Sequence, residues 1–254
     1  MELGLAGKVV LVTGASSSIG RATALAFAEE KALVAVGYHT NREAAEETVA
    51  LAEQRGGHAI GWQLDLGDSD SLERSVGHAR RELGPVDVLV NNAVHWPSWP
   101  DPGELFETAP PERFTSSVTA NLVGPYLLAR AVLGDMRGRG WGRIVNVSTG
   151  LVEDGFPGNV SYVAAKAGLH GLTRVMSREL AAEGILTNVV MPGFTPADRQ
   201  MPAELIDKAG AAAATRRVTH PDDVARMIVF LCSEANTNTT GEAIRTDGHF
   251  LSPG

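Results

Sequence analysis

The sequence predicts an α/β fold, a doubly wound parallel sheet of about seven strands with helices on both faces. Three observations predict it. Short apolar runs alternate with segments of helical periodicity along nearly the whole chain. Most of those runs are continuously apolar, as in strands covered on both faces. The first run also passes directly into a glycine turn that opens a helix, Gly14-Ala15-Ser16-Ser17-Ser18-Ile19-Gly20.

Taken in order, strands are expected over 8–13, 33–37, 58–64, 86–90, 142–149, 185–191 and 242–245. Helices are expected over 21–30, 43–55, 69–83, 111–137 and 221–233, with a further long one inside 156–182. Helix 111–137 is read as one piece with Asn121 in its middle. Gly56-Gly57 stops the second helix. The rhythm breaks at His95-Trp96-Pro97-Ser98-Trp99-Pro100-Asp101-Pro102-Gly103, whose three prolines exclude a regular helix or a central strand. It is read as an aromatic loop overhanging a cleft. Between 196 and 220 the pattern weakens into Ala-rich sequence, read as a mobile helical lid. No repeat or low-complexity linker divides the chain, so 1–254 is expected to be one domain.

Composition narrows the function. The net charge of −8 disfavours nucleic acid or an anionic membrane as partner. A single cysteine, Cys232, excludes an internal disulfide and any CxxC metal site, and no metal is expected. No apolar stretch approaches the length of a membrane span, and no signal peptide is visible, so a cytoplasmic protein is expected.

The glycine turn sits between strand and helix, where backbone N–H groups and the helix dipole together attract phosphate. Its spacing is G-x-x-x-S-x-G. A Walker loop is excluded, because Arg21 follows Gly20, and the common G-x-G-x-x-G is absent. Gly14, Ser16, Ser17, Ser18, Ile19 and Gly20 form the expected cradle, with Ser18 in an ordinary backbone conformation. After the second strand the chain runs Tyr38-His39-Thr40-Asn41-Arg42, with no carboxylate before Glu43. An acidic residue there holds the ribose 2′-hydroxyl of NAD. Donors and a positive charge in its place point to a 2′-phosphate, hence NADPH, held by Tyr38, His39, Asn41 and Arg42. Asp65 and Leu66, at the end of the third strand, are placed to meet an adenine. All these residues lie at the carboxyl ends of strands, where such sheets bind ligands.

The fifth strand ends on two hydroxyls, Ser148 and Thr149, and Tyr162-Val163-Ala164-Ala165-Lys166 follows on a helix. Residues four apart share a helix face. A lysine ammonium beside a phenol favours the phenolate, which suits the tyrosine to general acid work.

Thr13-Gly14…Gly20, Asp65, Asn91-Asn92-Ala93, Asn121, Ser148-Thr149, Tyr162…Lys166, Pro192-Gly193 and Thr240-Gly241 stand in one order over nearly the whole chain. In that order they resemble the short-chain dehydrogenase/reductase family. Within it they are similar to bacterial 3-oxoacyl-[acyl-carrier-protein] reductases and polyketide ketoreductases. The resemblance implies a Rossmann-like fold and commonly a homotetramer. It also implies roles: Tyr162 donates a proton, Lys166 holds the cofactor ribose, Asn121 positions a relay water, and a hydroxyl polarises the carbonyl. That hydroxyl usually lies thirteen residues before the tyrosine, which falls on Thr149, although Ser148 is adjacent. Neighbours on a strand face opposite ways, so only one faces the cleft easily; Thr149 is favoured. Asn92, Ala93, Val94, Pro192, Gly193 and Thr195 complete the implied cofactor wall.

Departures from the pattern matter. Ser18 replaces a glycine, Val94 replaces the last glycine of Asn-Asn-Ala-Gly, and Asp247-Gly248-His249 replaces Asp-Gly-Gly. Carrier-dependent relatives use arginines to dock the acidic carrier. This chain has Glu183 and Gly140 at those places, with Arg137 and Arg139 nearby. The expected activity is therefore NADPH-dependent reduction of a free, bulky, cyclic or polyketide-like ketone, with Trp96, Trp99 and Thr149 contacting the small-molecule substrate. The alternative on the same scaffold is a 3-oxoacyl carrier-protein reductase. A remote alternative of another class is a non-catalytic NADP(H)-binding regulator; such proteins can lose the tyrosine or lysine, and both are present here.

Overall fold

The computed structural model describes residues 2–96, 104–196 and 201–249. The elements run β1 (Val9–Val12), α1 (Ser18–Glu29), β2 (Leu33–Tyr38), α2 (Arg42–Gln54), β3 (His58–Gln63), α3 (Ser69–Leu83), β4 (Val88–Asn91) and α4 (Pro111–Val118). Then come α5 (Gly124–Arg139), β5 (Gly142–Val147), α6 (Leu151–Asp154), α7 (Val160–Leu180), β6 (Ile185–Pro192), α8 (Ala203–Ala212), α9 (Pro221–Leu231) and β7 (Ala243–Thr246). The strands form one parallel sheet in the order β3-β2-β1-β4-β5-β6-β7.

Alternation along each strand builds two cores. Val10, Val12, Val34, Val36, Val88 and Val90 face α1 and α9 through Phe27, Ala28, Val224 and Ile228. Val9, Leu11, Leu89, Ile144 and Ile185 face α3, α5 and α7 through Leu72, Val76, Leu128, Met136 and Leu180. Both sides of the sheet are thus buried in helices, the reason its strands read as unbroken apolar runs. The expected architecture is the one that forms. Its order reverses at β1, between β2 and β4, and a crevice opens there beyond the strand ends.

Local chemistry sets the helix ends. Asn41 accepts from Ala44 N–H at 3.1 Å to open α2, and Asp68 accepts from Asp70 and Ser71 N–H to open α3. His220 and Asp223 form a reciprocal cap on α9, with Pro221 at its first position.

Three expectations need correction. The helix expected over 111–137 does run through Asn121, but a π turn, Thr119–Val123, separates α4 from α5. Asn121 lies in that turn, with its amide bonded to the His95 backbone; such single wide turns are frequent at functional sites. Strand β5 ends at Val147, so Ser148 and Thr149 lie just beyond the ladder. Ser18 does not keep ordinary angles; its φ is +49°. The turn from β1 into α1 needs a left-handed residue, and a side chain there costs roughly 1–2 kcal/mol. Of the segment read as a lid, 197–200 lie outside the described residues, and α8 supplies its helical part.

Candidate active site

The crevice is one cleft of about 1550 Å³, larger than a single small-molecule pocket and roomy enough for two ligands end to end. Gly14, Ser16, Ser17, Ser18, Ile19 and Gly20 line one wall. The turn packs so closely on the segment after β4 that a Cβ on Gly14 would stand 2.8 Å from the Ala93 Cα. A Cβ on Gly20 would collide with the Gly14 carbonyl. Thr13 and Asn92 hold the two segments together. The Thr13 hydroxyl accepts from the Asn92 and Ala93 N–H groups at 3.0 and 2.9 Å, and Asn92 Nδ2 donates to the Thr13 carbonyl at 2.9 Å. Arg21 braces the outside, donating to the Ser16 carbonyl and to Glu47. The Ser17 side chain makes no capping bond to the first turn of α1, which borders the cleft.

Next along the cleft come Tyr38, His39, Asn41, Asp65 and Leu66. His39 Nε2 is 3.5 Å from Asp65 Oδ2, joining the ends of β2 and β3. Arg42 does not line the cleft. It stands largely exposed on the first turn of α2, with its Nε on Glu46 at 2.7 Å.

At the other end lie Asn92, Ala93, Val94, Trp96, Thr149, Tyr162, Lys166, Pro192, Gly193 and Thr195, all on the cleft wall. Tyr162 is buried on the first turn of α7, and Trp96 packs against its ring with centroids 4.5 Å apart. Trp99 lies outside the described residues. Lys166 is 2% exposed; its Nζ donates to the Val147 carbonyl at 2.7 Å and sits 6.0 Å from the Tyr162 ring centre. Burial pulls its pKa from 10.5 to about 8.

The two hydroxyls divide. Ser148 is buried against α7: its Oγ donates to the Lys166 carbonyl at 3.3 Å and lies 2.9 Å from His170 Nε2. Burial, with Arg174 nearby, holds the His170 pKa below its usual value. Thr149 is half-buried; its Oγ1 accepts from Leu151 N–H at 3.3 Å and makes no donor bond among the described residues. Asn121 is wholly buried. Its amide bonds both backbone groups of His95, at 2.8 and 2.9 Å, and the Ser117 hydroxyl at 3.2 Å. It thereby pins the stretch that carries Trp96.

Sequence reasoning missed a cluster at the floor of this end. Arg245 binds Asp247 and Glu153, each at 2.7 Å, and approaches Asp154 at 3.7 Å. It ties β7 to α6, and Gly193 packs directly on Asp247. Only Asp247 stood in a motif; Glu153 and Arg245 are separated by 92 residues, with nothing to pair them in the sequence.

The family model described as enoyl-(acyl carrier protein) reductase, of the short-chain dehydrogenase/reductase type, matches residues 14–250. The chain belongs to this family. A 3-oxoacyl-[acyl-carrier-protein] reductase FabG of Thermotoga maritima is 35% identical over 96% of this chain and 98% of its own. An acetoacetyl-CoA reductase of Rhizobium meliloti is 34% identical over 95% and 97%. A solved structure, titled for a promiscuous reductase LugOII that catalyses keto-reduction at C1 during lugdunomycin biosynthesis, superposes with a TM-score of 0.87. It is 35% identical and covers 96% of this chain and 98% of that one. This short-chain reductase is a nicotinamide-dependent oxidoreductase of C=O and CH–OH groups. No helix among its described residues is long and apolar enough to cross a membrane.

The cleft fits a dinucleotide. The turn at Gly14 and Gly20 leaves no room for a Cβ, the wall from Tyr38 to Leu66 continues from it, and Lys166 stands at the far end with donor capacity.

Proposed function

We propose that this reductase uses NADPH to reduce a free, bulky, cyclic or polyketide-type ketone to a secondary alcohol, as a cytoplasmic homotetramer. The observation that carries the substrate class is Trp96 lying against the Tyr162 ring, 4.5 Å between centroids. An indole beside the proton donor offers a flat apolar wall to a ring-bearing ketone, worth roughly 0.5–1.5 kcal/mol beyond area burial. A flexible acyl chain gains little from it.

The residues divide the work. Thr149 donates its hydroxyl hydrogen to the ketone oxygen, and Tyr162 transfers its proton to that oxygen. When bound, the reduced nicotinamide supplies the hydride that the carbonyl carbon accepts. Lys166, largely charged below about pH 8, favours the phenolate left on Tyr162. Asn121 holds the Trp96 segment in place.

Thr149→Val is expected to lower kcat/KM about 100-fold, as when a polarising donor is deleted. Ser148→Ala, whose hydroxyl is turned to α7, is expected to cost much less. Steady-state kinetics of the two variants checks the assignment, and the reverse order would move the role to Ser148.

For the cofactor, the region after β2 offers hydroxyl, imidazole and amide groups without a carboxylate before Glu43. Arg42 reaches a 2′-phosphate by leaving Glu46, an exposed pairing that holds it weakly. Arg42→Ala is expected to raise KM for NADPH at least about tenfold, the usual effect of removing a charged hydrogen bond, with little change for NADH. Equal use of both cofactors by the unaltered protein contradicts this.

The second reading, reduction of 3-oxoacyl chains on a carrier protein, is favoured by the names of the curated relatives. Against it, Arg137 is clasped by Glu183 through two bonds, 2.7 and 3.1 Å, and the chain carries a net charge of −8. An acidic carrier meets neither a free arginine at that place nor a favourable field. Turnover of polycyclic ketones and of acetoacetyl-carrier substrate, at matched concentration with NADPH, separates the two. Faster reduction of the free ketone is expected, with Trp96→Ala impairing that substrate selectively.

A further inference from the structure

The element that follows Thr149 is weak. α6 is a single turn of four residues, none of them buried, and its N-cap is Gly150, which has no side chain to close it. A helix so short is unstable by itself in water. It is nonetheless bonded to the hydroxyl residue before it. Thr149 Oγ1 accepts from Leu151 N–H at 3.3 Å, and Val152 N–H reaches the Thr149 carbonyl at 3.4 Å. A tilt of this turn therefore carries Thr149 with it.

Arg245 reaches α6 from the far end of β7. Its guanidinium bonds Glu153 at 2.7 Å and lies 3.7 Å from Asp154, both on α6, while a further bond of 2.7 Å anchors it on Asp247. It also lies over the backbone that joins Thr149 to α6, where a Cβ on Gly150 would stand 3.2 Å from Nη2. The anchor is itself fixed. Asp247 is buried, accepts from His249 N–H at 2.9 Å with its other oxygen, and packs on Gly193. A planar guanidinium with five donors serves several carboxylates at once, which a single ammonium does not do in this geometry.

We infer that Arg245 is a positioning residue for Thr149, clasping α6 to the end of β7 so that the hydroxyl keeps its place against the ketone oxygen. The inference rests on the ketone-reductase reading above. Arg245 also lines the cleft, so direct contact with the substrate is the rival role, and the two differ in whether Arg245 needs Thr149 to act.

The test is a double-mutant cycle with NADPH, on 1-tetralone and ethyl acetoacetate. Arg245→Gln is expected to lower kcat about tenfold when Thr149 is present, and less than about twofold in the Thr149→Val background, where no hydroxyl remains to misplace. Opening the clasp from its other end, with Glu153→Gln and Asp154→Asn together, is expected to give the same two values. Neither of those residues is buried, and Asp247 is left untouched, so this variant decides the matter if Arg245→Gln does not fold. Equal losses with and without Thr149 overturn the inference, whether Arg245 then touches the substrate or only braces the fold, and leave ketone reduction standing. So does a loss confined to melting temperature or to NADPH affinity. No turnover of either ketone by the parent overturns the reading and the inference together.

Discussion

Tyr162→Phe is expected to remove ketone reduction almost entirely, lowering kcat about 1000-fold while NADPH still binds. Tyr162 and Thr149 both line the cleft, and under the proposed roles the phenol gives its proton to the ketone oxygen; deleting a general acid costs in the range of about 100- to 10,000-fold. The substitution keeps the ring. Tyr162 is buried with Trp96 against it, and phenylalanine retains that packing, so folding is spared. Single-turnover measurements of ketone reduction, with calorimetric titration of NADPH, check both halves. Activity within tenfold of the parent would assign proton donation to another group.

Lys166→Met is expected to have effects of opposite sign on activity and on pH-dependent stability. Lys166 is fully enclosed, and its folded pKa of about 8 lies below the ordinary 10.5. The unfolded chain therefore binds this proton more tightly than the folded one. Below pH 8 both states are protonated, and the fold carries the whole desolvation penalty, about 3 kcal/mol. As pH rises from 8 toward 10.5 the folded lysine is already neutral while the unfolded one is still charged, so the penalty fades. The stability of the parent relative to Lys166→Met is thus expected to rise by about 3 kcal/mol across that window. The Val147 carbonyl, left without its donor in the variant, shifts the comparison by a constant and not with pH. Urea unfolding of both proteins at pH 7.5 and 10, without cofactor, checks the slope. A flat difference means that the buried ammonium is not the source. Turnover of the variant is expected to fall about 100-fold, since the charge favouring the phenolate is gone.

The glycine turn, the Tyr162–Lys166 pair and the run of buried strands were legible because each is local. A strand buried on both faces must be apolar throughout, and residues four apart on a helix must share a face, whatever surrounds them. Ser18 was misread for the same reason. Its neighbours give no sign that β1 meets α1 at an angle requiring φ of +49°. Arg42 had the right charge, but the start of α2 at that residue turns it outward onto Glu46.

By itself the sequence determined the fold class, the glycine turn between β1 and α1, and the placing of Tyr162 and Lys166 on one helix, since short-range periodicity and backbone chemistry specify them. Only the tertiary structure decided which hydroxyl is engaged within the fold, because that depends on α7 bringing His170 and the Lys166 carbonyl to Ser148. It also decided that Asn121 bonds the His95 backbone and that Arg245 joins Glu153 to Asp247. Each of these turns on groups brought together or kept apart by packing, and hydrogen-bond partners distant in the chain leave no period in the sequence to read.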